Sequence, residues 1–170
     1  EYRMKICERR QSSGLEDLLV QMRAVVIQVE QGDALLYLHE LYLMSPYRFS
    51  AAFKNKTHNV YVLTSQPDFP RLIMLEPLAK DYADEITMFN RLYPLSSQKP
   101  NARYIGEIFS TKDVVETQKT LESHNIRFNY HHETKNPFFT DSHFAFTFPS
   151  DFTYNRVGYT QVEIDDYDAL

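Results

Sequence analysis

The sequence predicts an α+β protein made of two tandem βαβββ modules, preceded by an N-terminal helical arm. The order strand, helix and three strands can be traced over residues 23–78 and again over residues 103–164. A connector at residues 79–102 separates the two stretches and contains a Ser- and Pro-rich segment. With 170 residues, 43% of them hydrophobic, the chain can bury one sizeable core shared by two small halves.

The N-terminal arm covers residues 1–22. Apolar residues recur at helical spacing over residues 15–22, directly after Ser12 and Ser13, which are suitable helix caps. The arm is therefore predicted to contain a short helix.

The first module begins with residues 24–30, a β-branched and apolar run that predicts a strand. The residues Gln31-Gly-Asp are typical of a turn. Asp33 can cap a helix predicted over residues 34–44, and Pro46 terminates that helix. Three further strands are predicted at residues 47–54, 60–64 and 71–76.

The connector is predicted to form a helix over residues 81–93, because acidic residues come early and apolar residues follow at helical spacing. The second module starts with a strand at residues 104–110. Ser110 or Thr111 then caps a helix that runs to His124. Three more strands are predicted at residues 127–132, 143–148 and 157–164, and residues 165–170 form an acidic tail.

Composition excludes several classes of protein. The formal charge is −5 and Lys and Arg are scattered, so nucleic acid is not an expected partner. No apolar run approaches the ~20 residues of a membrane-spanning helix, so a membrane is not expected either. Cys7 is the only cysteine, which excludes an internal disulfide and suggests a cytoplasmic, reducing location.

Two βαβββ modules in tandem resemble the vicinal oxygen chelate superfamily, which includes glyoxalase, extradiol dioxygenases, fosfomycin-resistance proteins and bleomycin-binding proteins. The resemblance lies in the order of the elements from about residue 23 to residue 163. Its most suggestive local segments are IGEIFSTKD at residues 105–113 and GYTQVE at residues 158–163. The resemblance implies a cup-shaped mixed sheet with helices outside, a ligand or metal ion inside, and a homodimer.

The same resemblance implies metal ligands of the His, Gln or Glu type on the first and fourth strand of each module. Neither first strand has a His near its start, where Val25 and Tyr104 stand. Oxygen ligands of this kind suit Mg, Ca or Mn better than Zn. The candidates that remain are Gln28, Glu76, Glu107 and Glu163, with Gln161 as an alternative to the last.

Glu107 is the candidate catalytic residue. It interrupts the apolar run of Ile105, Ile108 and Phe109, and a carboxylate buried there would have a raised pKa that suits a general base. The alternative is that Glu107 faces solvent or pairs with an arginine. The sequence leaves both open.

Phe144, Phe146 and Phe148 alternate along one strand. They form either an aromatic wall for a planar ligand or, as we predict, core beneath the second helix. The opposite side chains would then face the cup as a polar cavity suited to an anion or an oxygenated small molecule. The candidate ligand-binding residues on that face are Arg127, Asn129, His131, His143 and Thr147.

The sequence therefore predicts a glyoxalase- or bleomycin-resistance-like protein that binds a small molecule in its cup without the usual metal site. A divalent-metal-dependent lyase, isomerase or dioxygenase of the same superfamily is the alternative, and it would require a metal cofactor. A non-catalytic interaction domain of a longer protein is a third interpretation.

Overall fold

The structure is a computed structural model that describes Lys5, Glu8 and residues 11–82, 102–133 and 144–161. Its helices are α1 (Leu15–Leu18), α2 (Ala34–Met44) and α3 (Val114–Ser123), with a 3-10 turn at Lys80–Tyr82. Its strands are β1 (Leu19–Val29), β2 (Arg48–Lys54), β3 (His58–Thr64), β4 (Arg71–Pro77), β5 (Ala102–Thr111), β6 (Phe128–Tyr130), β7 (Phe144–Thr147) and β8 (Arg156–Thr160). No helix of the described residues is long and apolar enough to cross a membrane.

The eight strands form one mixed sheet in the order β2-β3-β4-β1-β5-β8-β7-β6. In each module the first strand lies parallel to the fourth, and the remaining pairs within the module are antiparallel. The two first strands, β1 and β5, pair antiparallel at the centre. The predicted fold class of two βαβββ modules is confirmed, and the modules follow the same strand order outward from this central pair.

Helices α2 and α3 pack on one face of the sheet, which we call the helix-bearing face. Under α2 lie Ala34, Leu38 and Leu41 of the helix with Ile27 and Met74 of the sheet. Under α3, Val114 packs against sheet residues that include Phe128, Ala145 and Tyr159. Among the described residues no helix packs on the opposite face, which we call the helix-free face. It carries a cluster drawn from strands of both modules: Ala24, Val26, Val60, Ile73, Leu75, Ile105, Ile108, Phe144 and Phe146.

Two of the predicted helices need correction, one at its end and one at its cap. The helix predicted over residues 15–22 ends at Leu18, because Leu19 and Met22 already pair with Thr111 and Phe109 of β5. Strand pairing overrides the weak helical preference of this short segment. Helix α3 is capped by Asp113, whose side chain accepts a hydrogen bond from Glu116 N, and not by Ser110 or Thr111.

Other predictions fall partly outside the described residues. The connector helix predicted over residues 81–93 is described only at Asp81 and Tyr82, which belong to the 3-10 turn. The rest of that helix, the end of the last strand and the acidic tail at residues 165–170 lie outside the described residues.

Candidate functional site

The centre of the helix-free face is packed with apolar side chains. Ala24, Val26 and Ile73 come from the first module and have no solvent exposure. Ile105 and Ile108 come from β5 and are 3% and 0% exposed. Apolar residues therefore fill the central positions of the first strands on the face where the superfamily resemblance implies a ligand.

The aromatic residues of β7 lie on this face and not beneath α3 as predicted. Phe144 and Phe146 are fully buried, with ring centroids 5.5 Å apart, and Tyr130 stacks on Phe146 at 6.4 Å. The positions beneath α3 are taken by Phe128 and Ala145. The alternation of phenylalanines correctly predicted that Phe144 and Phe146 are buried. It did not predict which face of the sheet they occupy, because every residue of β7 is buried.

Arg156, at the start of β8, belongs to the same aromatic group. Its guanidinium carbon lies 4.1 Å from the Phe146 ring centroid and 5.5 Å from that of Tyr130. Its Nε donates to Thr147 O at 2.8 Å and its Nη2 donates to Asn129 Oδ1 at 2.6 Å. Arg156 is 1% exposed, and burial lowers its pKa to about 10, so it stays charged at neutral pH. No local pattern in the sequence marks this residue.

The far end of the helix-free face carries a polar pair from the first module. His58, the first residue of β3, is fully buried, and its Nε2 lies 2.9 Å from Gln28 Oε1 while its Nδ1 lies 2.8 Å from Thr57 Oγ1. Burial lowers the pKa of His58 to about 4, so the imidazole is neutral at pH 7. Gln28 lies opposite Arg103 of β5, whose Nη2 is 3.5 Å from Glu30 Oε1.

The described members of the predicted metal set do not share one site. Gln28 accepts from His58 on the helix-free face. Glu76 lies on the other face, where Oε2 accepts from the backbone N–H of Gly32 and Ala34, each at 3.1 Å. Its Oε1 accepts from Asn59 Nδ2 at 3.1 Å. Glu76 therefore binds the start of α2, and its oxygens are occupied by hydrogen-bond donors.

Glu107, the predicted catalytic residue and third metal candidate, lies on the helix-bearing face. It pairs with Val25 of β1 and Val157 of β8, which pack beside the clusters under α2 and α3. Its neighbours are two phenols. The pKa of Tyr104 is raised, mainly by burial and secondly by the nearby Glu107 carboxylate. The same two causes raise the pKa of Tyr159 to about 12.

Gln28, Glu76 and Glu107 therefore do not fit a shared metal ion. Glu163 lies outside the described residues. Its alternative, Gln161, accepts a hydrogen bond from Val114 N at 3.3 Å and so binds the start of α3. Within residues 11–82, 102–133 and 144–161, no three His, Cys, Asp or Glu side chains are grouped to hold a metal ion.

The predicted ligand-binding residues are divided between the two faces. His131 accepts a hydrogen bond from Gln118 of α3 at 2.6 Å, so it lies on the α3 side. Asn129 is bound to Arg156, and His143 lies outside the described residues. Arg127 and Thr147 both line a cavity of about 430 Å³ next to α3.

A second cavity, of about 400 Å³, lies at the edge of the sheet where β1 and β4 begin and β3 ends. Arg23 and Arg71 line it together with Ser65, Asp68 and Phe69 of the loop between β3 and β4. No pattern in the sequence pointed to this site, because its residues meet only once β1 and β4 are paired in parallel.

No protein-family model and no curated protein sequence matches the chain. Solved structures do match. Methylmalonyl-CoA epimerase from Mycobacterium tuberculosis aligns with a TM-score of 0.66 at 15% identity, over 90% of this chain and 95% of that one. A variant of the Streptomyces coelicolor enzyme in complex with 2-nitronate-propionyl-CoA aligns with a TM-score of 0.61 at 15% identity, over 86% and 96%. A hypothetical protein from Bacillus halodurans aligns with a TM-score of 0.61 at 11% identity, over 84% and 94%.

These likenesses concern the fold. They show that the chain has the same overall fold as these proteins.

Proposed function

We propose that this protein binds a small molecule on the vicinal oxygen chelate fold and does so without a bound metal ion. The observation that carries the proposal is the packing of the helix-free face. Apolar side chains occupy its central positions on β1, β4 and β5, and its polar pair, Gln28 and His58, is hydrogen-bonded internally. Side chains that are buried and paired in this way stabilise the face and are not arranged to coordinate a cation.

The two cavities support binding of a small molecule. Each is large enough for a compact organic ligand and each presents at least one arginine. Because a guanidinium binds carboxylate and phosphate groups well, the ligand is expected to be anionic.

A second candidate function is epimerisation of a CoA thioester, which the names of the structural neighbours favour. Epimerisation removes and returns a proton at carbon, so it requires acid–base groups at the substrate. Among the described residues, the helix-free face brings the cations Arg103 and Arg156 to its interior, and Glu30 lies at its rim. The carboxylate of this face is thus paired with Arg103 at the rim, which does not favour proton abstraction at the centre of the face.

We also propose that the protein forms a homodimer and is located in the cytoplasm, as the sequence predicts. Analytical ultracentrifugation at two protein concentrations tests the dimer, since a reversible dimer dissociates on dilution.

The test is a thermal-shift screen of carboxylates, phosphates and CoA thioesters, repeated with and without a chelator. A binder raises its melting temperature with ligand concentration, and the rise is unchanged by chelator. A rise that disappears with chelator, and returns with a divalent ion, contradicts the proposal.

The enzyme alternative has its own test. Methylmalonyl-CoA is incubated with the protein in D₂O, and exchange at the carbon between the carboxylate and the thioester is followed by NMR. Catalysed exchange would establish the epimerase function, whereas binding without exchange supports the proposed one.

A further inference from the structure

The cavity at the start of β1 and β4 has a composition that identifies a class of ligand. It is formed by the β3–β4 loop closing over the paired ends of two parallel strands. This inference rests on the proposed function, since it names the chemistry of the molecule that the protein would bind.

A β-bulge contributes the first arginine of the cavity. Met22 pairs with Phe109 and Ala24 with Ile108, so Arg23 is an extra residue in β1. Bulges redirect a side chain relative to the regular alternation and are enriched near functional sites. Arg23 is only 8% exposed.

Arg71, the first residue of β4, supplies the second guanidinium and is half-buried. Among the residues that line the cavity, Asp68 is the carboxylate that offsets these two cations. The described lining thus holds two cationic side chains and one anionic side chain, in a protein whose formal net charge is −5. That local reversal of sign would attract an anionic group.

Ser65 gives an independent indication of a ligand. Its Oγ is buried in the structure and has no hydrogen-bond partner there among the described residues. Buried hydroxyls almost always have a partner, and a ligand oxygen in the same cavity would supply one. Phe69 and Pro67 also line the cavity, so an apolar body fits beside the polar end.

We propose that this cavity binds a small molecule that carries a carboxylate or phosphate on a planar or apolar body. Arg23 and Arg71 bind the oxyanion, Ser65 Oγ donates to one of its oxygens, and Phe69 packs against the body.

The direct test uses isothermal titration calorimetry with benzoate, phenyl phosphate, and benzamide as the neutral analogue of benzoate. We expect both anions to bind at millimolar concentration or better and benzamide to bind at least tenfold more weakly, because a charge-assisted hydrogen bond to arginine is lost. The tighter of the two anions identifies the oxyanion that the cavity prefers. Equal binding of benzamide and benzoate, or no binding of either anion, would overturn the inference.

Two variants place the binding in this cavity. Arg71→Gln should weaken anion binding by about tenfold or more. Ser65→Ala should weaken it severalfold while the melting temperature stays at or above that of the wild type, because Ser65 Oγ makes no hydrogen bond within the described part of the chain. The matched control is Arg48→Gln, at an exposed arginine of β2 that lines neither cavity, and it should leave binding unchanged, whereas Arg127→Gln tests the other cavity. If Arg127→Gln weakens binding and Arg71→Gln does not, the inference is refuted.

The same variants separate this inference from the proposed function. If the wild type binds a ligand of the thermal-shift screen and Arg71→Gln binds it equally well, the proposed function stands and the assignment of the cavity is wrong. If binding of the anions requires a divalent ion and still depends on Arg71, the cavity is correct and metal-independent binding is wrong.

Discussion

Arg156 illustrates how a buried charge is held in this protein. Its guanidinium donates to a backbone carbonyl and to Asn129, and lies over the Phe146 ring. Hydrogen bonds and the negative face of the ring compensate part of the desolvation cost. Thr147 O and Asn129 Oδ1 would in turn lose a donor if Arg156 were removed.

We expect Arg156→Met to lower the free energy of unfolding by about 3 kcal/mol, because it leaves buried acceptors without donors. Arg127→Met is the control: Arg127 is exposed and lies 5.2 Å from the Phe148 ring, so its loss should cost less than about 1 kcal/mol. Urea denaturation of the two variants gives both values. Equal losses would show that burial of Arg156 has no special role.

His58 should make stability depend on pH. Its folded pKa of about 4 lies below the unfolded value of 6.5, so the unfolded chain binds the proton more tightly. The contribution of the neutral, buried imidazole is complete above pH 6.5 and is lost as pH falls towards 4. The slope within this window is at most about 1.4 kcal/mol per pH unit for one proton.

Denaturation at several pH values tests this dependence. His58→Asn should flatten the fall in stability between pH 6.5 and 4, whereas His39→Gln, at an exposed position on α2, should leave it as in the wild type. An unchanged slope in His58→Asn would contradict the role given to His58.

At the scale of the elements, Glu76 connects β4 to α2. It accepts from two backbone N–H groups at the start of the helix, from Asn59, and from Tyr61 OH at 3.3 Å. A carboxylate at a helix N-terminus also interacts favourably with the helix dipole. A residue 42 positions away in the chain from Ala34 therefore does what a local cap usually does.

We expect Glu76→Ala to destabilise the fold by about 2 to 3 kcal/mol, because several donors lose a charged acceptor. Glu40→Ala, at an exposed position on the same helix, should change stability by less than about 0.5 kcal/mol. Thermal denaturation followed by circular dichroism measures both. A Glu76→Ala variant as stable as Glu40→Ala would exclude the capping role.

At the scale of the whole molecule, the two modules share one core. The cluster on the helix-free face contains Val60 and Ile73 of the first module and Phe144 and Phe146 of the second. Strands β1 and β5 add a continuous antiparallel ladder between the modules. If one module unfolded, the apolar side chains that the other module contributes to this cluster would be exposed to water.

Unfolding should therefore be one cooperative transition. Glu76→Ala in the first module and Gly158→Ala in the second should both shift the same transition. An added Cβ at Gly158 would lie 2.8 Å from the Phe144 ring, which makes this a core defect. Two separable transitions in calorimetry, each sensitive to one variant, would contradict a shared core.

The order of the elements could be predicted from the sequence because it depends on local signals. The helix at residues 34–44 was predicted with its observed bounds, since turn chemistry precedes it and Pro46 follows it. The sequence could not predict which side chains of β7 point towards α3, because both faces of this strand are buried and neither has the polar residues of a solvent-exposed face. The pairing of Gln28 with His58 joins residues 30 positions apart, which no local pattern reveals.

Metal content is the measurement that tests the central claim of metal-independent binding most directly. The protein is purified without a tag or chelator and assayed by mass spectrometry for Mg, Ca, Mn, Fe, Ni and Zn. We expect no divalent metal near one equivalent per chain, and none acquired when the anionic ligand binds. One equivalent of a divalent metal that is lost on Gln28→Ala or Glu163→Ala would contradict the claim and restore the metal-dependent enzyme as the better interpretation.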